Sequence, residues 1–271
     1  SYTAAADGYI RFTYYIADED SVMCEYGSTV SAFTPYTKKL ADNIELSTYQ
    51  KSQVEDLIGE GIISGLKITT FGDSIMAGDG NSGIGIVDIL TSLYGVVGVD
   101  HSIGGASMQK ISGLSCIPEQ IDTAILDGMI APDLFIIDGV SNDIASVSST
   151  LGTVSESFDY ESAGYENSFV NGMEYAIGLL KTNYPGVPII YVIPHSTPAR
   201  SYSRELSYED TARSICKKWS IMIADIYKDG NLNARINTQK SLYCDAGGTH
   251  PNDNGYKKFY IPIIHDEILT S

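Results

Sequence analysis

Leu66-Lys67-Ile68-Thr69-Thr70-Phe71-Gly72-Asp73-Ser74 begins as a short apolar run and stops at a glycine. Apolar and β-branched residues ending at a turn signal read as a buried strand followed by a sharp bend. A Gly-rich stretch, Gly78 to Gly85, comes next. The Ser74 hydroxyl is therefore expected at the C-terminal edge of a sheet, where open α/β sheets bind ligands. A bare serine hydroxyl is a poor nucleophile. It needs a base and an anion-stabilising pocket, which other segments of the chain must supply.

From Leu66 onward the pattern alternates between strands and helices. Strands are expected over 67–71, 96–102, 133–138, 188–193 and 222–226, and helices over 84–94, 117–127, 161–183, 204–219 and 254–270. Asp133-Leu134-Phe135-Ile136-Ile137-Asp138 and Pro188-Ile189-Ile190-Tyr191-Val192-Ile193 are nearly continuous apolar runs, as in strands buried on both faces. The alternation implies an α/β domain with a parallel sheet covered by helices on both sides. Ahead of it, Tyr9 to Ile16 and Val22 to Tyr26 read as strands around an Asp18-Glu19-Asp20 turn. Residues 41–60 read as a helix, with Ser47 as N-cap and an apolar stripe of Ile44, Leu46, Val54, Leu57 and Ile58. Gly59, Gly61 and Gly65 then break the chain, which places an N-terminal β and helical appendage at 1–63 and the main domain at 64–271. Two strands alone are marginal, so the appendage is expected to continue an earlier domain or to pack on the one that follows. A first residue of Ser reads as a piece of a longer or processed polypeptide.

The 271 residues are 43% hydrophobic, enough for a real core. No apolar run approaches the ~20 residues that span a bilayer, and Ser1 to Gly8 has neither the basic nor the apolar part of a signal peptide. A net charge of −17 argues against nucleic acid, anionic membranes and strongly anionic polymers. Neutral glycans or small esters suit it better. Nineteen Tyr suit sugar contacts as well as core and sheet faces, where most are expected. Cys24, Cys116, Cys216 and Cys244 are far apart, form no CxxC pair, and read as buried free thiols rather than metal ligands.

Three further motifs fall where strands should end. They are Ser102-Ile103-Gly104-Gly105-Ala106, Gly139-Val140-Ser141-Asn142-Asp143, and Gly247-Gly248-Thr249-His250-Pro251 before the last helix. With Gly72-Asp73-Ser74-Ile75 they stand in the order Ser, Gly, Asn, His. That order resembles the SGNH hydrolases, also called the GDSL esterase and lipase family, from about Leu66 to the C-terminus. The resemblance implies a flavodoxin-like three-layer sandwich around a central parallel sheet. It also implies Ser74 as nucleophile, His250 as general base, and an oxyanion hole made of the Ser74 amide, the Gly105 amide and the Asn142 side chain. No metal or cofactor is implied. Glu25-Tyr26-Gly27-Ser28-Thr29-Val30 with Phe33-Thr34-Pro35-Tyr36 resembles the end of β modules in phage tail and surface proteins.

Two blocks depart from the family pattern. Val140 stands where the third block usually has Gly, with Gly139 one residue earlier. Gly247 stands where an Asp usually precedes the His by three residues, and the nearest upstream carboxylate is Asp245. Three arrangements stay open: Asp245 folds back onto His250, a backbone carbonyl orients His250 in a Ser–His dyad, or a remote Asp takes the role. Asp73 is expected to secure its turn and Asp143 to cap its own loop or the next segment. His195, at the end of the fourth strand, is a substrate-binding candidate, weighed against a capped or solvent-facing histidine. Arg200 and Arg204, in the loop after His195, could hold a polar substrate, but a solvated loop is the favoured reading.

The leading expectation is a serine esterase that removes ester-linked acyl groups, foremost O-acetyl groups on a carbohydrate. A lipase or thioesterase, and a non-catalytic glycan-binding or structural module of a surface or phage tail protein, are the alternatives. The expected partners are an acylated carbohydrate or small ester, without nucleic acid or membrane, in an extracellular, cell-surface or virion setting.

Overall fold

The computed structural model describes residues 9–14, 22–27 and 63–271. The chain divides into two compact units, Ser1–Leu57 and Ile58–Ser271. In the first, β1 (Tyr9–Tyr14) pairs antiparallel with β2 (Val22–Gly27), Tyr9 opposite Gly27 and Tyr14 opposite Val22. The expected turn at Asp18 to Asp20, the helix over 41–60 and the Ser28 to Tyr36 part of the phage-like motif lie outside the described residues.

The second unit runs β3 (Lys67–Phe71), α1 (Ser74–Ala77), α2 (Ile86–Tyr94), β4 (Val97–Asp100), α3 (Ile117–Leu126), β5 (Leu134–Ile137) and α4 (Ser141–Ala145). It continues with α5 (Tyr160–Ala163), α6 (Phe169–Asn183), β6 (Ile189–Ile193), α7 (Tyr202–Trp219) and β7 (Met222–Asp225). It closes with α8 (Ile226–Asp229), α9 (Asn237–Tyr243), α10 (Asp253–Gly255), a π-helical turn over Tyr256–Tyr260, and α11 (Ile261–Thr270). Strands β3 to β7 form one parallel sheet in the order β4-β3-β5-β6-β7. This is the flavodoxin-like order, and helices cover both faces.

Side chains alternate across a strand, so each strand feeds two cores. Ile68, Leu134, Ile136, Ile190 and Val192 pack with α2 and α11, through Ile86, Leu90, Ile261 and Ile264. Phe71, Phe135, Ile137, Ile189, Tyr191 and Ile193 pack with α3, α6 and α7, through Ile121, Met173, Ile177 and Ile215. Every residue of β5 and β6 is buried, as their continuous apolar runs imply. The chain leaves β3 for β4 on one side and then crosses to β5 on the other. Ser74, just past β3, thus sits at the point where strand order reverses, the crevice in which this topology binds ligands.

The helix expected over 161–183 is two helices. Gly164, at φ +64°, ends α5, and the Ser168 side chain caps α6 by accepting the Asn171 N–H. The helix over 254–270 is interrupted by the π-helical turn.

Candidate active site

Three separate segments and the turn's own Asp73 carboxylate hold the turn after β3. The Gly72 amide donates to Gln120 Oε1 at 3.1 Å, and Gln120 Nε2 donates back to the Gly72 carbonyl at 2.9 Å. The Asp73 amide donates to Asp138 Oδ1 at 2.9 Å. The Asp73 carboxylate caps α1 by accepting the Ile75 N–H at 2.8 Å, so it secures the turn. The Tyr256 hydroxyl donates to the Ile75 carbonyl at 2.6 Å. Ser74, the first residue of α1, is left 8% exposed on a rigid base.

Ser74 Oγ lies 2.9 Å from His250 Nε2, and His250 Nδ1 lies 2.8 Å from Asp245 Oδ2. The five-residue spacing closes because the loop folds on itself. Asp245 N–H donates to the His250 carbonyl at 2.8 Å, Gly248 N–H to the Asp245 carbonyl at 3.0 Å, and Thr249 N–H to Asp245 Oδ1 at 2.9 Å. Burial pulls the Asp245 carboxyl upward, but hydrogen bonds from the His250 ring and the Thr249 amide outweigh it and hold the group below its ordinary value. The Gly-rich stretch closes on this loop. A Cβ on Gly80 would stand 2.4 Å from His250 Cβ and 2.7 Å from the Pro251 carbonyl, so only glycine fits there.

The third block departs from the family pattern in its turn. Gly139 has φ +142°, and a Cβ on it would meet Ile117 Cδ1 at 2.0 Å. The turn glycine is thus moved one residue forward, and Val140, in ordinary helical backbone, fills the core instead. Helix α4 then turns the Asn142 side chain toward Ser74's neighbour: Nδ2 donates to the Ala106 carbonyl at 2.7 Å and to Asp73 Oδ2 at 3.3 Å. The backbone amides of Ser74 and Gly105 donate to no acceptor among the described residues.

Asp143 does not cap its own loop. It accepts the Met108 and Gln109 amides at 2.7 and 3.0 Å, tying the segment after Gly105 to α4. Burial pushes its carboxyl up to about 7 despite those bonds. Arg204 is not solvated either. Its guanidinium donates to the carbonyls of Ile144 (3.0 Å), Asp143 (3.1 Å) and Ser146 (2.9 Å), closing the C-terminal end of α4. Arg200, also expected in solvent, is buried.

His195 is not a substrate contact in this structure. It is 1% exposed, and both ring nitrogens have protein partners. Nδ1 faces the Tyr260 hydroxyl at 2.7 Å, and Nε2 faces the Gly248 carbonyl at 3.1 Å. Because that carbonyl can only accept, Nε2 carries the proton and Tyr260 donates to Nδ1. Burial holds the ring pKa down to about 4, so it is neutral at ordinary pH. The ring's reach is inward because β6 delivers it under the His250 loop. Strand-edge position alone cannot tell that direction from an outward one.

The supporting groups Gln120, Tyr256 and Tyr260 carried no signal in the sequence. Tyr256 and Tyr260 bracket a π-helical turn, a feature that often marks functional sites. Cavities of about 330 and 460 Å³ open elsewhere, one along α3 beside Ile103 and one over α9, and neither is lined by Ser74, Asn142 or His250. Cys116, Cys216 and Cys244 are buried free thiols. Among the described residues no group of three or more His, Cys, Asp or Glu is placed to hold a metal, and no helix is long and apolar enough to cross a membrane.

Solved structures share this fold. A protein from Lactobacillus plantarum is 19% identical with a TM-score of 0.60, covering 77% of this chain and 96% of its own. A member of the lipolytic protein G-D-S-L family from Veillonella parvula is 20% identical with a TM-score of 0.53, covering 75% and 98%. A catalytic mutant of an acetylxylan esterase from Geobacillus stearothermophilus is 18% identical with a TM-score of 0.51, covering 76% and 95%. No curated protein matches the chain. Residues 70–258 match the GDSL-like lipase/acylhydrolase family, a span that holds Ser74, Gly105, Asn142 and His250. The chain belongs to that family and is a carboxylic ester hydrolase of the GDSL type.

Proposed function

We propose that the chain is a serine esterase in which Ser74, His250 and Asp245 act as nucleophile, general base and orienting carboxylate. The observation that carries the reading is the unbroken chain from Ser74 Oγ to His250 to Asp245, at 2.9 and 2.8 Å. Ser74 Oγ attacks the ester carbonyl and passes its proton to His250 Nε2. Asp245, anionic, holds the ring and stabilises its charged form. The oxyanion is met by the Ser74 and Gly105 amides and by Asn142 Nδ2, which gives up its longer bond to Asp73. Each such donor is worth about 10²–10³ in rate. The tetrahedral species expels the alcohol, which takes the proton from His250. Water, deprotonated by His250, then releases the acid and restores Ser74.

The substrate class we propose is a short acyl ester, foremost O-acetyl on a carbohydrate. It is supported by the likeness to an acetylxylan esterase. An extracellular or surface setting belongs to the same proposal, since acetylated glycans are found there. Turnover of aryl esters of increasing chain length, beside release of acetate from an acetylated polysaccharide, tests it. Preference for two-carbon acyl groups is expected. Preference for chains of about eight carbons or more would overturn the substrate assignment and leave a lipase.

A further inference from the structure

The segment Pro194 to Tyr208 runs from the end of β6 into α7 and bridges two blocks of the site. Pro198 abuts Gly248 in the His250 loop, its Cδ 3.0 Å from where a Gly248 Cβ would stand. Arg204 is fastened to α4, which carries Asn142. Arg200 lies between these two anchors. Its backbone is fixed by Arg235, which donates to the Arg200 carbonyl at 2.8 Å, while Glu205 accepts the Thr197 amide at 3.0 Å and the Ser196 hydroxyl at 2.9 Å.

Arg200 is only 9% exposed. The other three arginines of residues 63–271 all spend their guanidinium groups: Arg204 on three carbonyls, Arg213 on Asp225 at 2.7 Å, and Arg235 on Glu205 at 2.8 Å. Among the described residues the Arg200 guanidinium donates no hydrogen bond and makes no ion pair. Its nitrogens keep a narrow contact with solvent, since none is among the fully enclosed polar atoms without partners. Burial lowers its pKa, and the opposing pull comes first from Asp73, the residue before Ser74. A largely buried cation gains from a partner of opposite charge. A guanidinium offers a planar fork that matches a carboxylate at two points.

We propose that Arg200 binds a carboxylate carried by the substrate, so that the preferred esters bear one carboxylate near the scissile bond on the acyl or the alcohol side. The inference rests on the serine-esterase reading and deepens it. The net charge of −17 repels polyanions at long range, while a single carboxylate delivered to one buried guanidinium is recognised at contact.

Two substrate pairs test this and separate the two sides of the ester. On the acyl side, the 4-nitrophenyl monoester of adipic acid is compared with 4-nitrophenyl hexanoate. On the alcohol side, O-acetylated glucuronic acid is compared with O-acetylated glucose. In one pair the carboxylate-bearing member is expected to have a kcat/KM about 10- to 100-fold higher, carried by KM, the range of a charge-assisted hydrogen-bonded pair. Arg200→Gln brings that ratio close to one and Arg200→Lys retains part of it. The inference is overturned if the native ratio is near one in both pairs, or if Arg200→Gln slows both members equally. Should Arg200→Gln not fold, the ratio in Arg200→Lys decides: an unchanged ratio overturns the assignment. Turnover of neither ester in any pair by the native protein would instead sink the esterase reading itself.

Discussion

Tyr260 and His195 meet at 2.7 Å, hydroxyl to Nδ1, while the Gly248 carbonyl, 3.1 Å from Nε2, keeps the ring proton on Nε2 and leaves Nδ1 to accept from the hydroxyl. Gly248 belongs to the turn that brings Asp245 back to His250. Tyr256, one turn earlier, holds the Ile75 carbonyl on the Ser74 side. The same π-helical turn therefore braces both halves of the candidate site. Tyr260→Phe removes one hydroxyl and leaves the ring in place. It is expected to lower kcat about tenfold with little change in KM, and to shift the His195 Nδ1 resonance in nitrogen NMR spectra while Nε2 keeps its proton.

Neutrality of His195 makes a pH prediction. The folded ring titrates at about 4, against an ordinary 6.5. Between those values the unfolded chain binds a proton that the folded chain does not. The stability contributed by the neutral ring is complete above the ordinary value and is lost as pH falls toward 4. Asp143, raised to about 7 from an ordinary 3.8, works in the opposite direction throughout that window, because its folded form keeps a proton that the unfolded form releases. Comparison with His195→Gln isolates the histidine: between pH 7 and pH 4.5 the native melting temperature falls more than that of the variant.

Asp245→Asn discriminates between a triad and a Ser–His dyad. An amide in place of the carboxylate can no longer stabilise the charged ring. The expected loss in kcat is about 10³–10⁴-fold with KM nearly unchanged. A loss below about tenfold would assign the orienting role elsewhere.

Arg204→Ala strips three carbonyl partners from the end of α4 and frees the helix that carries Asn142. Activity is expected to fall toward the level of Asn142→Ala, itself about 10²–10³-fold down. The effects of the two substitutions combined should fall well short of additive, because they act through one group.

Gly80→Ala inserts a methyl group 2.4 Å from His250 Cβ. The His250 loop must retreat, so catalysis is expected to suffer far more than stability. Gly139→Ala is the opposite case: with φ at +142° and Ile117 at 2.0 Å, it should cost stability by about 2–4 kcal/mol and activity with it. Thermal melts set beside turnover separate the two.

The sheet was legible because strands buried on both faces are short continuous apolar runs, as in Phe135-Ile136-Ile137 and Ile190-Tyr191-Val192. Ser74, Gly105, Asn142 and His250 were picked out by the order of their motifs, which resembles that of the GDSL family, and the first three follow β3, β4 and β5 at one edge of the sheet. Their supports were not. Gln120, Tyr256 and Tyr260 sit on helices, where an apolar face explains them equally well, and only tertiary contact reveals what their polar tips hold. Arg200 and Arg204 belong to a loop whose composition reads as solvated, yet one is buried and the other is drawn onto α4. The helix α9 was missed because it buries none of its residues and so has no apolar period.

The central claim is that Ser74, activated by His250, forms a covalent acyl-enzyme. Its most direct test is intact-protein and peptide mass spectrometry after exposure to a fluorophosphonate probe. One adduct on the peptide carrying Ser74 is expected in the native protein, strongly slowed in His250→Ala and absent in Ser74→Ala. A native protein that stays unlabelled, or labels with equal speed after Ser74→Ala, would contradict the account.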